Sequence, residues 1–249
     1  MMNYKIFAPS YKRPKLCKSH EYISDLIYVI RESEAKDYEG KHDKFWIVPD
    51  SAQGNLCKIR NYILDHADCE NIVLIDDDIN YFGRWNGNES KRLNEDEVHQ
   101  MISEGFQLAE DMDVHFWGIN CVMDKGAYME FTPFGTRAYI GGPFQAHRKN
   151  PLRYDERIFL KEDYDMTLQI LNQYRKNLRL NMYHYNCNQN DLPGGCAEYR
   201  NIERELDHNR MLQEKWGSKI VKFDNRNRSE KKGKKYDINP ILKIPIGGA

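Results

Sequence analysis

Asn71-Ile-Val-Leu-Ile-Asp-Asp-Asp-Ile-Asn80 is the stretch on which the reading of this chain turns. Ile72 to Ile75 is a short, β-branched apolar run of the kind that fills a strand buried on both faces. It stops at three adjacent carboxylates, Asp76, Asp77 and Asp78. Like charges this close repel, so a fold that keeps them supplies a cation or exposes them to water. The stretch therefore reads either as a metal site at the carboxyl end of a central strand or as an acidic turn that stops the strand.

The flanking sequence supplies a rhythm. Residues 3 to 8 read as a first strand ended by Pro9-Ser10, and Lys44 to Val48 as another, closed by Pro49-Asp50-Ser51. Between them, Tyr22, Ile23, Leu26, Ile27 and Ile30 recur at helical spacing behind Ser19, a candidate N-cap. Leu56, Ile59 and Ile63 predict a second helix, whose adjacent face carries Arg60 and Asn61. Strand, helix, strand, helix, strand predicts βαβ units and a parallel sheet. Ligands of such sheets bind beyond the carboxyl ends of the strands, the edge that holds Ser10, Asp50 and Asp76 to Asp78.

Further along, residues 83 to 94 are polar and read as a loop. Asn94 before Glu95, Asp96 and Glu97 starts a helix with Val98, Met101, Ile102, Leu108 and Met112 as its apolar stripe. Val114 to Asn120 predicts a strand, and Tyr128–Phe131 with Thr136–Ile140 a hairpin. Phe144 to Arg148 follows the Gly141-Gly142-Pro143 break, which makes the sheet mixed. Glu162, Asp163 and Asp165 open a helix, Leu178 to His184 predicts a strand, and Tyr199 to Trp216 carries the last helical stripe. No internal repeat or linker divides the chain, which predicts a single α/β domain over 1–225 and a basic segment over 226–249.

Composition narrows the function classes. With 30% charged and 12% aromatic residues in 249, the chain has the make-up of a packed domain and not of a disordered one. A formal net charge of −1 excludes a globally basic nucleic-acid coat and leaves room for a local basic face. No apolar run reaches the ~20 residues that span a bilayer, so the expectation is a cytoplasmic protein without a membrane partner. Six scattered cysteines form no C-x-x-C pair, which disfavours a zinc ribbon and suits reduced thiols; His184 with Cys187 and Cys196 is the remaining cysteine-based metal reading.

Asp-x-Asp at a strand end suits Mn²⁺ or Mg²⁺, hard cations that take carboxylate oxygens and leave positions for phosphates. An aspartyl-phosphate (HAD-like) phosphatase also ends a strand this way, with Asp76 as nucleophile, but its motif sits on a first strand. No P-loop or G-x-G-x-x-G fingerprint is present. Glu162-Asp163 at a helix start is, taken alone, better explained by the helix dipole than by catalysis; its pairing with the Asp76–Asp78 cluster, with Gly141-Gly142-Pro143-Phe144 between them, favours catalysis. Trp85 and Trp117 are candidates to stack on a base or sugar, with Trp117 better suited to the core.

Together these motifs resemble the GT-A-fold glycosyltransferases. Ile75 to Asp78 is similar to their Asp-x-Asp motif, Arg60-Asn61 to the Arg-Asn of the preceding helix, and Gly141 to Arg148 to the strand lining the sugar pocket. Tyr154 to Phe159 followed by Glu162 to Asp165 resembles the segment that carries their general base. A narrower resemblance, on Asp-Asp-Asp-Ile, Gly-Gly-Pro-Phe and Gly194-Gly195-x-x-x-Tyr199-Arg200, is to the phage-type TET-associated glycosyltransferases, which modify hydroxymethylated pyrimidines in DNA. The resemblance implies a GT-A-like, Rossmann-type mixed sheet with helices on both faces. It implies a nucleotide-sugar donor, UDP-type favoured, and Mn²⁺ or Mg²⁺ on Asp78 with Asp76 at the ribose or a metal-bound water. It further implies Ala8, Pro9, Ser10, Arg13 and Asp50 around the nucleoside, Arg60 on base or phosphate, and Gly142 in the sugar pocket. Asp163 would be the general base positioned by Glu162, and His184, or failing it His208, a late metal ligand. The implied acceptor is a modified base in DNA, with a surface glycan or small molecule as the alternative. A binding module without catalysis would keep the fold and survive loss of Asp163. The basic run Arg226 to Lys235 is placed to close over the donor diphosphate or touch acceptor phosphates.

Overall fold

The computed structural model describes residues 3–121, 128, 130–187, 194–223 and 239–244. Its centre is a mixed sheet laid on β1 (Lys5–Pro9), β2 (Ile27–Arg31), β3 (Phe45–Val48) and β4 (Asn71–Ile75). Beyond these lie β5 (Ile79–Asn86), β6 (Glu89–Arg92), β7 (Phe116–Asn120), β8 (Phe134–Gly135), β9 (Phe144–Arg148) and β10 (Leu178–Cys187). The order is β3-β2-β1-β4-β9-β7-β10-β5-β6, with β8 on β10. β1 to β4 pair in parallel, β9 runs antiparallel between β4 and β7, and β10 is parallel to β7. A small β11 (Val221–Phe223) and β12 (Pro240–Leu242) ladder lies apart.

Strand alternation explains why both faces of this sheet are covered. Val73 and Ile75 of β4 enter one apolar core while Ile72 and Leu74 enter the other. Ile6 and Ala8 of β1 likewise oppose Phe7, the period-two pattern of a doubly buried strand. Helix α1 (Ala35–Tyr38) is a single turn whose Tyr38 is fully buried. The first core takes Met101, Ile102 and Phe106 of α3 (Glu95–Asp111). The second takes Ile59 and Ile63 of α2 (Leu56–His66) and Met166 and Ile170 of α4 (Glu162–Tyr174). α5 (Ile202–Trp216) is tied to α4 where Trp216 Nε1 donates to Asp165 Oδ1 at 2.8 Å and Lys215 pairs with the same carboxylate. The Asn94 cap is complete: its side chain accepts from Glu97 N while Glu97 returns a bond to the Asn94 amide.

Three expectations are corrected. The helical spacing from Tyr22 to Ile30 does not make a helix: Ser19–Glu21 is a single 3₁₀ turn and Ile27–Arg31 is β2. The β-branched run decides it, because Tyr28 and Ile30 fill one core and Val29 the other. Residues 83 to 94 are not a loop but most of a hairpin, β5–β6, in register Asn86↔Glu89. Its two-residue turn begins with Gly87 at φ 59°, a first central position that suits glycine in a type II′ turn. The hairpin expected over 128–140 falls partly outside the described residues. Within them, Phe134–Gly135 pairs with β10 and Thr136 to Ile140 forms no strand. The 225/226 boundary and the basic run 226–235 lie outside the described residues.

Candidate active site

Where β1 and β4 end, the chain turns over one cavity of about 710 Å³, a volume that suits a nucleotide-sized ligand. Its floor is the acidic turn. Ser19 Oγ donates to the Asp76 carbonyl at 2.7 Å and accepts from Ile79 N at 3.0 Å, and Lys18 N donates to the Asp77 carbonyl at 2.8 Å. Ser19 thus pins the acidic turn rather than capping a helix. Asp76 keeps about a third of its side chain exposed, while Asp77 and Asp78 are buried. Asp77 is 3.3 Å and Asp78 3.1 Å from Arg13 Nη1. Burial, followed by the charges of Asp76 and Asp77, pushes the Asp78 carboxyl up to about 7 despite Arg13.

Arg60 of α2 forms the back wall. It is fully buried and donates to the Gly142 carbonyl at 2.8 Å, Gln145 Oε1 at 3.2 Å and Glu162 Oε1 at 3.2 Å, with Asp76 at 3.5 Å. Gln145 also accepts from the Tyr154 hydroxyl at 2.6 Å, which meets His147 at 2.9 Å. This one guanidinium joins α2, α4, the acidic turn and the Gly141-Gly142-Pro143 segment. Replacing Arg60 with Leu is expected to destabilise the fold by about 3–5 kcal/mol, because it strands Glu162 as an unpaired buried charge; urea unfolding with and without the substitution measures it.

The two adjacent acids at the start of α4 divide their surroundings. Glu162 turns inward to Arg60, and its carboxyl is raised to about 7 by burial and then by the charge of Asp163, against the pull of Arg60. Asp163 faces the cavity. Its Oδ2 accepts from the Tyr139 hydroxyl and from Gly142 N (3.2 Å), and its Oδ1 from Tyr164 N (2.9 Å). Tyr139 in turn stacks on Tyr164, ring centres 4.3 Å apart. Asp163 is therefore a carboxylate held in one orientation at the mouth of a helix, while Asp165, two residues on, points away to α5.

Pro9, Ser10, Arg13, Arg60, Asp76, Asp78, Gly142, Glu162 and Asp163 all line this cavity. Ala8 is fully buried in the core beneath it. Three other expected residues are not brought there. Asp50 is exposed in a 3₁₀ turn, accepting from Ser33 N at 3.1 Å. His184 points to the other side of β10 from Tyr185 and Cys187, which do line the cavity. It packs on Gly83, where a Cβ would lie 2.4 Å from its ring, and shares a 2.7 Å hydrogen bond with Ser90. His208 accepts from Leu160 N at 3.1 Å, a structural role. Trp117 is buried in the core, as its strand position predicts, and Trp85 packs near His184, outside the cavity. Sequence reasoning missed Tyr139, Cys121, Tyr185 and Lys161 as cavity residues; no local motif marks them.

No three His, Cys, Asp or Glu side chains converge as a ready-made metal site among the described residues. The donor chemistry nevertheless fits a hard divalent cation. Three carboxylates share one turn, Arg13 is a stand-in cation, and Asp78 is hard to ionise without further positive charge. Asp76 and Asp78 would hold the ion, with its remaining positions left to ligand oxygens and water. The raised carboxyls of Asp78 and Glu162 hold protons in the fold that the unfolded chain releases above about pH 4, so their contribution to metal-free stability is lost as pH rises from about 4 to about 7, while the buried His147 and His208, lowered to about 3 and about 4, contribute in the opposite direction. The difference in thermal melting between Asp78→Asn and the unaltered metal-free protein isolates the Asp78 carboxyl and is expected to grow in favour of the variant across that range, and saturating Mn²⁺ is expected to reverse it.

A strand order that reverses direction at β9, with an acidic turn after β4 and an oriented carboxylate at the start of α4, gives a mixed α/β domain with a GT-A-like fold. The family model of TET-associated glycosyltransferases matches residues 4–195, and this chain belongs to that family. A comparison with curated proteins returned no match. Among solved structures, a mycobacterial protein superposes with a TM-score of 0.52 at 10% identity, over 96% of this chain and 84% of that one. The 1–349 fragment of S. aureus TarS, also known in complex with UDP, gives 0.48 at 14% identity, over 85% of this chain. This chain spans 64% of that fragment's length. The mannosyltransferase PcManGT from Pyrobaculum calidifontis, in complex with GDP-Man and Mn²⁺, gives 0.38 at 15% identity, over 58% of this chain and 44% of that one. At these identities the likeness is one of fold. No described helix is long and apolar enough to cross a membrane.

Proposed function

We propose that this chain transfers a sugar from a nucleotide-sugar donor to a hydroxyl acceptor, and that the acceptor is a hydroxymethylated pyrimidine in DNA. The observation that carries the reading is the placement of two acidic centres in one cavity. The Asp76–Asp78 turn, which would hold a diphosphate, and Asp163 at the start of α4 line the same cavity. Family membership supports transfer over the phosphatase reading, and the family's association with TET chemistry is what favours the DNA acceptor. Pro9, Ser10 and Arg13 frame the nucleoside, Gly142 puts no side chain beside Glu162 and Asp163 where the sugar would lie, and Arg60 organises the wall behind.

A divalent cation held by Asp78 and Asp76 neutralises the leaving diphosphate when bound. The protein's own step is proton removal. The acceptor oxygen forms a bond to the anomeric carbon as the bond from that carbon to the diphosphate oxygen breaks, and Asp163 takes the acceptor's proton. Tyr139 and Gly142 N hold one oxygen of Asp163 in place. A single base opposite the leaving group inverts the anomeric centre. Glu162, neutralised by Arg60, positions this wall and does not take the proton.

The test offers UDP- and GDP-sugars, with Mn²⁺ or Mg²⁺, to hydroxymethylated and plain DNA, then digests to nucleosides and weighs them. Hexose or pentose mass on the hydroxymethylated nucleoside alone is the expected outcome. Sugar appearing on a glycan, protein or small molecule instead would overturn the acceptor assignment. The anomer formed, read by proton coupling, decides inversion.

A further inference from the structure

The turn after β1 holds a cation exactly where a metal-dependent donor site needs none of its own. Lys12 has φ of 55°, a left-handed conformation that lysine keeps only where its surroundings enforce it. Here Lys12 N donates to Glu34 at 3.0 Å and its ammonium pairs with Glu198 at 3.1 Å. The strained turn delivers the Arg13 guanidinium into the acidic turn, with Nη1 against both Asp77 and Asp78. Burial opposes that charge, and Asp77, Asp78 and Asp76 more than offset it. Nε of Arg13 is buried without a hydrogen-bond partner, so the guanidinium is held by charge more than by a full set of donors. Gly195 closes over it: a Cβ there would lie 1.7 Å from Arg13 Nη2. Gly195 N is anchored to the Tyr11 carbonyl at 2.8 Å.

The geometry points to Arg13 as a resident counter-cation that competes with the divalent ion for Asp78 and yields it when the donor diphosphate arrives. The inference rests on the metal reading above and deepens it, because it says how metal and donor binding are coupled. An ion arriving alone must displace Arg13 from Asp78 and lose that pairing. An ion arriving with a nucleoside diphosphate offers the guanidinium new phosphate oxygens, which its planar fork of donors suits. Metal and nucleotide then each strengthen the binding of the other, by the same factor in both directions. The arrangement also keeps Asp78 compensated between turnovers.

The test is the binding of Mn²⁺, followed by calorimetry and by the electron paramagnetic resonance of the free ion, with and without saturating UDP or GDP. Measurements at about pH 8.5 limit competition from protons at the carboxylates. Arg13→Gln is expected to bind Mn²⁺ alone roughly tenfold or more tightly than the unaltered protein, on the scale by which a neighbouring cation shifts a carboxylate. The nucleotide should then improve Mn²⁺ binding less than it does in the unaltered protein. Arg13→Lys keeps the charge and is expected to stay near the unaltered affinity. Gly195→Ala, at a φ of 56° where a side chain also strains the turn, crowds the guanidinium without removing it, and should tighten Mn²⁺ binding in the same direction by a smaller factor. That variant and Arg13→Lys carry the comparison if Arg13→Gln fails to fold by circular dichroism. Unchanged or weaker Mn²⁺ binding in Arg13→Gln, or in Gly195→Ala where that variant stands in, overturns the competition while leaving the metal site intact. No Mn²⁺ binding by the unaltered protein with either nucleotide overturns the metal reading and this inference with it.

Discussion

Asp163→Asn is expected to lower sugar transfer by roughly 10²–10⁴-fold, the usual worth of a positioned general base, with nucleotide binding unchanged. Asparagine keeps the size of the side chain but offers one acceptor oxygen, so it keeps the bond from Gly142 N or the bond from Tyr164 N and loses the other, since these fall on separate oxygens of the aspartate. What it cannot do is take a proton from an attacking hydroxyl. Separating the two acids at the start of α4 gives the measurement its force. Glu162→Gln removes a charge that is already paired with Arg60, so its effect is expected on stability and donor positioning more than on proton transfer. Turnover at saturating donor decides between them: Glu162→Gln retains most of it, and Asp163→Asn does not. Full turnover in Asp163→Asn would remove the base assignment and put proton removal on another group.

Asp78→Asn carries the second large effect, and it runs in opposite directions for activity and for stability. Loss of the central ligand is expected to weaken Mn²⁺ binding by roughly a hundredfold or more, on the scale of changes around metal sites. Transfer should fall by at least as much, because a bound cation contributes several kcal/mol to a leaving diphosphate. In the metal-free protein the same substitution relieves a buried carboxylate that burial and two neighbouring aspartates already disfavour. The melting temperature above pH 7 is therefore expected to rise as activity disappears, the exchange of stability for function that strained sites show. Thermal melting with and without Mn²⁺ reads both. A metal-dependent rise in melting temperature that survives Asp78→Asn would assign the ion to other residues.

Much of this site was legible from short range. The apolar run ending in acids at 76 to 78, the helix carrying Arg60 and the acid pair opening α4 each lie within one segment, and each reached the cavity. The failures share a cause too. Ile27 to Ile30 satisfy helical spacing and strand alternation alike, and only pairing with β1 and β3 selects the strand. His184 was expected from its place at the end of a strand, but alternation along β10 turns it to Gly83 and turns Tyr185 and Cys187 into the cavity. The polar residues 83 to 94 concealed a hairpin because a half-exposed edge needs few apolar side chains, while the Gly87-Asn88 pair at its turn was a local signal.

What the sequence determined by itself is the alternating apolar pattern of the strands, the caps and turns between them, and the acids at their carboxyl ends. Those features depend on residues a few positions apart, where backbone geometry and side-chain period act directly. Only the tertiary structure decided which of those groups meet. Arg60 reaches Glu162 across 102 positions and Gln145 across 85, and Arg13 lies against Asp78 across 65. Such contacts follow from the order of strands in the sheet, with β9 inserted antiparallel beside β4. No local period encodes that order; it is set by which packing buries both faces of the sheet at once.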